Sequence, residues 1–229
     1  MHTMKKVRGP VERIAMDRGQ LDTMETDIFL RRHVERYAMI RQHLYGTVLD
    51  CACGVGYGSY LVSKNPDVQQ VIGVDCSPEA ISHAEHEFSS DKTTFLCDDI
   101  ATFEPPIPID ILVSLETIEH LADRQALPSL ARRLDVPHLI LSFPSKKTTH
   151  YNAFHHHDFR RQDLIDLFDE YILYHHVDLH GEVEMLFFTL HPRWISRPRP
   201  ESSLPRPDVE DLDGVERNFR PPRKPPASR

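Results

Sequence analysis

Tryptophan occurs once, cysteine four times and glycine nine times in this chain, and no stretch approaches the ~20 consecutive apolar residues a membrane helix needs. The opening segment, Met1 to Arg18, carries Lys5, Lys6, Arg8 and Arg13 but lacks the apolar core of an export signal. Those two absences predict a soluble, cytoplasmic protein with no membrane partner. The cysteines, Cys51, Cys53, Cys76 and Cys97, all fall in the first half, and no second pair mirrors the Cys51/Cys53 spacing. Reduced, packed thiols suit that pattern better than a disulfide framework or a zinc site.

Charge is unevenly spread. The net charge is −8, yet the segment from Pro192 onward holds nine Lys/Arg against six Asp/Glu, which leaves −11 for residues 1–191. An acidic body argues against sequence-independent binding to a long phosphate backbone and leaves a short or structured nucleic acid open. The same C-terminal segment has nine of the 18 prolines and few large apolar residues. Such a composition cannot offset its ordering entropy, so residues 192–229 are expected to form a disordered or extended tail, solvated or used for docking.

What remains, with 40% hydrophobic residues overall, is enough for one α/β domain. Short apolar runs alternate with amphipathic stretches, the pattern of a parallel sheet with crossover helices. The runs are Val48 to Cys51, Val71 to Val74, Thr94 to Cys97, Ile109 to Leu115 and His138 to Phe143. Helices are expected around Tyr57 to Ser63, Pro78 to Phe88 and Ala122 to Leu134, and another over residues 25–45. Tyr171 to Val177 and Val183 to His191 read as a closing hairpin through Leu179, His180 and Gly181. The predicted organisation is an N-terminal extension (1–24), a catalytic domain (25–191) and the Pro/Arg-rich tail (192–229).

The first predicted strand runs into a glycine-rich turn, Asp50-Cys51-Ala52-Cys53-Gly54-Val55-Gly56-Tyr57-Gly58. Glycine serves where backbone must turn tightly and approach a ligand without a Cβ in the way. The second strand ends in Asp75, 21 residues past Gly54, where a carboxylate can accept both hydroxyls of a ribose. A dinucleotide turn would want glycine at Ser59 and no acid at Asp50. Asp50 opposes a pyrophosphate but suits the ammonium group of a methionyl moiety. Acids at the third strand's end, Asp98 and Asp99, can accept adenine amino hydrogens while a neighbouring backbone N–H meets a ring nitrogen.

Four phrases in order, LDCACGVGYGS, VIGVDCSPEAI, FLCDDIATF and IDILVSLETIEHL, resemble the successive motifs of class I S-adenosylmethionine (SAM) dependent methyltransferases. The resemblance implies a doubly wound, Rossmann-like seven-stranded sheet whose final strand is antiparallel, with an N-terminal cap helix. It also implies that SAM is held by Asp50, Cys51, Gly54, Gly56, Gly58, Asp75, Cys76, Asp99, Ile100 and Leu115. The family pattern has glycine where Asp98 stands, so adenine falls to Asp99. His33, Arg36 and Tyr37, on the expected cap helix, are candidates for its methionine end.

Methyl transfer from a sulfonium is an in-line displacement, and an alcohol acceptor must also lose a proton to a base or a metal. If a helix begins after the fourth strand, Glu116, Glu119 and His120 share one face. After the fifth strand comes a long loop containing His150, His155, His156 and His157, and long loops in α/β domains tend to be functional. Glu116, Glu119, His120 and His155 are therefore the candidate ligands of a divalent ion, Mg or Mn. Without a metal, His120 or His155 is the candidate base, with Glu116 beside it; a purely structural cluster, its acids complementing a helix dipole, is the third reading, and His175 and His176 read as structural. The E-x-x-E-H cluster resembles that of small-RNA 2′-O-methyltransferases and of quinone-biosynthesis O-methyltransferases. The loop phrase is similar to that of sugar methyltransferases, with Ala153 where those have proline. The leading expectation is an enzyme methylating a hydroxyl of a small polar acceptor, a sugar or nucleotide sugar. Its rivals are a metal-dependent RNA 2′-O-methyltransferase, an NAD(P)-dependent oxidoreductase and a catalytically inert SAM-binding module.

Overall fold

The computed structural model describes residues 18–191; the rest of the expected N-terminal extension and the expected tail lie outside the described residues. Two compact units divide at Arg36 and Tyr37. The described part of the first is helical, the leading portion of α1 (Arg18–Arg41), which runs straight through the boundary expected at residue 25.

The second unit carries a seven-stranded sheet in the order β3-β2-β1-β4-β5-β7-β6. Its strands are β1 (Gly46–Cys51), β2 (Val68–Asp75), β3 (Thr93–Cys97), β4 (Ile111–Leu115), β5 (His138–Pro144), β6 (Tyr171–Leu179) and β7 (Val183–Leu190). The helices α2 (Tyr57–Ser63), α3 (Pro78–Phe88), α4 (Ala126–Arg133) and α5 (Arg161–Leu167) connect them. β1 to β5 pair in parallel, and only β7, inserted between β5 and β6, runs against its neighbours. The antiparallel final strand matches expectation. A parallel strand covered on both faces reads as a continuous apolar run, and β1 and β4 are buried along their whole length. Successive residues feed opposite cores: Leu49, Ile72, Leu112 and Leu139 enter one, Val48, Val71, Ile111 and Ile140 the other.

Several boundaries moved, two of them for local reasons. The fourth strand starts at Ile111 rather than Ile109 because the Asp110 carboxylate leaves the ladder to accept from Thr47 N at 2.8 Å. α4 starts at Ala126 rather than Ala122: Pro128 has no N–H for an earlier turn and is tolerated only near a helix start. α1 begins at Arg18 and ends at Arg41, before the expected end at 45. Ser77 caps α3, its Oγ accepting from Ala80 N at 3.2 Å with Pro78 in the first turn. All four thiols are free, but only Cys51 and Cys53 are buried; Cys76, just past β2, and Cys97, the last residue of β3, are exposed, which corrects the expectation of four packed thiols.

Parallel strands send their carboxyl ends to one edge of the sheet. Chain order runs from β1 outward through β2 to β3, then reverses to β4 and β5, so the switch point lies between β1 and β4. Open α/β sheets bind ligands at that place.

Candidate functional site

The turn after β1 is built from left-handed residues, Ala52 (φ 59°), Gly54 (φ 54°) and Gly56 (φ 89°). Its three glycines do different work. A Cβ on Gly56 would strike Ala84 and the Phe95 ring, and one on Gly58 would enter the Tyr37 ring, so both serve packing. A Cβ on Gly54 would meet nothing within 4 Å, and the space above it is open to a ligand.

Asp75 ties that turn to the tip of β2. One carboxylate oxygen accepts from Gly54 N and the other from Ser77 N, each at 2.9 Å, and the half-buried group retains lone pairs for further donors. Asp50 lies beneath, fully buried, accepting from the Ser59 hydroxyl at 2.6 Å and the Tyr37 hydroxyl at 3.1 Å. Burial pushes its pKa up to about 6 against the pull of those two donors. Asp50 and Tyr37 thus form the floor of the turn rather than its lining. The Cys51 side chain also points into the core, leaving only its backbone toward the crevice. Sequence reasoning missed Ser59 as a partner of Asp50; a serine directly after the third glycine was the available signal.

Beyond β3, Asp98 and Asp99 are exposed and each receives a backbone N–H, from Asp99 N at 2.7 Å and Ala101 N at 2.9 Å. Exposed Cys76, half-buried Ile100 and buried Leu115 complete the predicted residues along this edge. His33 and Arg36 belong to the unit before Tyr37, where a ring nitrogen and the guanidinium lie 3.3 Å apart.

The expected helix after β4 does not form. Glu116 is left-handed (φ 52°), and the segment Ile118–His120 is a single 3₁₀ turn. Glu116 therefore does not share a face with Glu119 and His120; its carboxylate turns to β5, where the Ser142 hydroxyl donates to it at 2.7 Å. Three of the four predicted metal ligands do converge. Glu119, His120 and His155 each offer one ligand atom, all within 4.8 Å of one another, and Glu116 is not in the group.

Each part of that group is held in place. The Glu119 carboxylate is buried, and its backbone carbonyl accepts from His156 N at 2.8 Å, pinning the loop after β5 to the 3₁₀ turn. His120 Nδ1 lies 3.1 Å from the Phe154 carbonyl, which as acceptor fixes the proton on Nδ1 and leaves Nε2 for a ligand. His155 Nδ1 contacts the Thr148 hydroxyl, and burial followed by the neighbouring His120 lowers its pKa, favouring the neutral ring that can coordinate or accept a proton. The loop itself is clasped by Asp158, which accepts from Thr148 N, Thr149 N and, at 2.7 Å, the Thr149 hydroxyl. These donors, the Thr149 hydroxyl first, hold its carboxyl at about 2.

Residues 48–136 match the model of a methyltransferase domain. A probable SAM-dependent methyltransferase of Mycolicibacterium smegmatis is 28% identical over 158 residues, 63% of this chain and 59% of the relative. The chain thus spans under two thirds of that relative's length. Magnesium protoporphyrin IX methyltransferase from Synechocystis with bound S-adenosylhomocysteine (SAH) superposes with a TM-score of 0.58, covering 79% of this chain and 90% of that one at 18% identity. The methyltransferase domain of bacterial CtHen1-CN gives 0.54, covering 69% and 97% at 19% identity. With the glycine-rich turn, the acid at the tip of β2 and the antiparallel β7 all in place, the chain is similar to class I SAM-dependent methyltransferases, in sequence over residues 48–136 and in fold.

Proposed function

We propose that this protein methylates a hydroxyl of a small polar acceptor, a sugar or nucleotide sugar, with a divalent ion at Glu119, His120 and His155. The observation that carries this reading is the convergence of a buried carboxylate and two imidazoles at the carboxyl ends of β4 and β5, next to the switch point. The methyltransferase-domain match over residues 48–136 favours SAM over a nicotinamide cofactor.

The open space over Gly54, together with the Asp75 carboxylate, fits SAM. Asp75 takes the ribose hydroxyls, Asp99 the adenine amino group, and Cys76, Ile100 and Leu115 flank the ring. Asp50 contributes negative potential from below, Gly56 and Gly58 allow the close packing behind the turn, and Cys51 offers backbone only. Bound there, SAM supplies a methyl group on a sulfonium, whose carbon–sulfur electron pair stays on sulfur as the acceptor oxygen bonds to carbon.

Two imidazoles and a carboxylate make a donor set suited to a divalent first-row ion, Mn more than Mg. Such an ion supplies Lewis acidity that lowers the pKa of a bound hydroxyl. Glu119, His120 and His155 orient that hydroxyl; absent the ion, His155 is the base that takes its proton. Chelator titration, with SAM and each acceptor class supplied, tests the reading. Loss of turnover with chelator and recovery with Mn support it, and turnover indifferent to chelator removes the metal.

A second reading is methylation of the 2′-hydroxyl of an RNA end. The same ligand trio favours it, and so does the overlap with the CtHen1-CN methyltransferase domain. Turnover on an RNA 3′ end but on no free sugar or nucleotide sugar would select it; SAM binding with no turnover on any acceptor would leave an inert SAM-binding module.

A further inference from the structure

We infer that the acceptor carries a phosphate group, which docks in a cationic cleft beside the Glu119, His120 and His155 centre. This rests on the reading of that centre as the place of the acceptor hydroxyl. The cleft, of about 520 Å³, lies against the loop after β5 and is lined by Arg124, Lys146, Lys147, Arg160, His156 and His157. That volume falls within the range of small-molecule sites.

Two acids also line it and offset part of the positive charge, but both are held by the loop's own donors. Asp158 is engaged by Thr148 and Thr149 as the clasp of the loop, and Asp163 accepts from Arg160 N at 2.7 Å. Among the described residues, Arg124, Lys146, Lys147 and Arg160 form no salt bridge, while Arg132, Arg133 and Arg161 elsewhere do. Four cations against two acids leave the cleft lining with an excess of positive charge on a body of net charge −11, which concentrates an anion there rather than near the acidic turn.

The cleft borders the candidate metal centre directly: His156 and His157 follow the ligand His155, and their backbone amides face the Glu119 carbonyl. Acids lie past β2 and β3, on the side that would hold a cationic sulfonium; cations lie past β5, on the acceptor side. The same loop exposes Tyr151 (70%) and Phe154 (76%), flat faces on which a base or sugar ring can stack. A phosphate ester with a hydroxyl-bearing ring matches all three features. It can come from a nucleoside diphosphate sugar or from the end of an RNA strand.

Calorimetry on the full chain with SAH present tests this, using uridine, UDP and a short single-stranded RNA as probes. UDP or the RNA is expected to bind roughly tenfold or more tightly than uridine, and less tightly as salt rises. The Lys146→Glu/Lys147→Glu variant should lose that preference and retain SAH binding, and Arg160→Gln should weaken the same probe. Preference for UDP identifies the small-molecule source, and preference for the RNA the polymer; either supports the inference. SAH binding with no preference for phosphate, or a preference that survives the charge reversal, overturns the inference alone. Failure to bind SAH sinks the methyltransferase reading beneath it as well.

Discussion

The Tyr37 hydroxyl donates to the Asp50 carboxylate at 3.1 Å, joining the end of α1 to the buried floor of the glycine-rich turn. The Tyr37 ring fills the space that a side chain at position 58 would need, so the contact couples three things: a helix, a turn and a buried charge. Ser59 supplies the second donor from the first turn of α2, which makes Asp50 the point where three segments meet.

Asp50 should leave a signature in stability against pH. Its folded pKa of about 6 lies above the ordinary 3.8, so the fold favours its protonated form. The sign follows: this group's contribution is fully present below about pH 4 and is lost as pH rises through 6. The rise from 3.8 to about 6 corresponds to about 3 kcal/mol. Urea denaturation of wild type and Asp50→Asn between pH 4 and 7.5 should show wild type losing stability relative to the variant across that window. Parallel curves would mean that Asp50 titrates normally.

Gly54 and Gly58 should separate ligand binding from folding. Gly58→Ala drives a methyl group into the Tyr37 ring and is expected to destabilise by about 1–3 kcal/mol, read as a lowered Tm. Gly54→Ala meets no atom and costs only the left-handed strain of about 1 kcal/mol, yet it intrudes on the space assigned to the cofactor. SAH affinity should therefore fall more at 54 and thermal stability more at 58; the reverse order would mean that Gly54 faces no ligand.

The cofactor half of the site was legible because its parts are local. A turn's glycines and a strand's terminal acid sit in contiguous phrases, and strand pairing alone carries Asp75 to Gly54. Even so, glycine spacing could not separate the position that opens to a ligand from the two that pack, since that depends on Tyr37, Ala84 and Phe95 across the fold. On the acceptor side the helical-face argument failed at Glu116. A left-handed residue and one 3₁₀ turn replaced the helix, and the decisive partner, Ser142, lies 26 residues away on another strand. The convergence of His155 with His120 survived that failure because it depends on β4 and β5, both foreseen as apolar runs, lying side by side in the sheet. The cationic cleft went unread for the opposite reason: its charges are scattered between residues 124 and 160 and are diluted by the acidic body.

Glutamates 116 and 119, three residues apart, should behave as different kinds of group. Glu119 offers a ligand atom to the trio, so Glu119→Gln replaces an anionic donor by a neutral amide and should abolish Mn binding by calorimetry. Turnover should then fall by more than the ~10–100-fold that losing an outer-shell partner typically costs. Glu116 accepts from Ser142 and stands outside the trio; Glu116→Gln keeps an acceptor there, so Mn binding should persist and any loss of turnover should stay within that range. His120→Ala should follow Glu119→Gln, because its Nε2 faces the same centre while Nδ1 is held by Phe154. Equal damage at 116 and 119, with Mn binding lost in both, would return Glu116 to the ligand set and require the segment after β4 to rewind into the helix that the sequence spacing predicts.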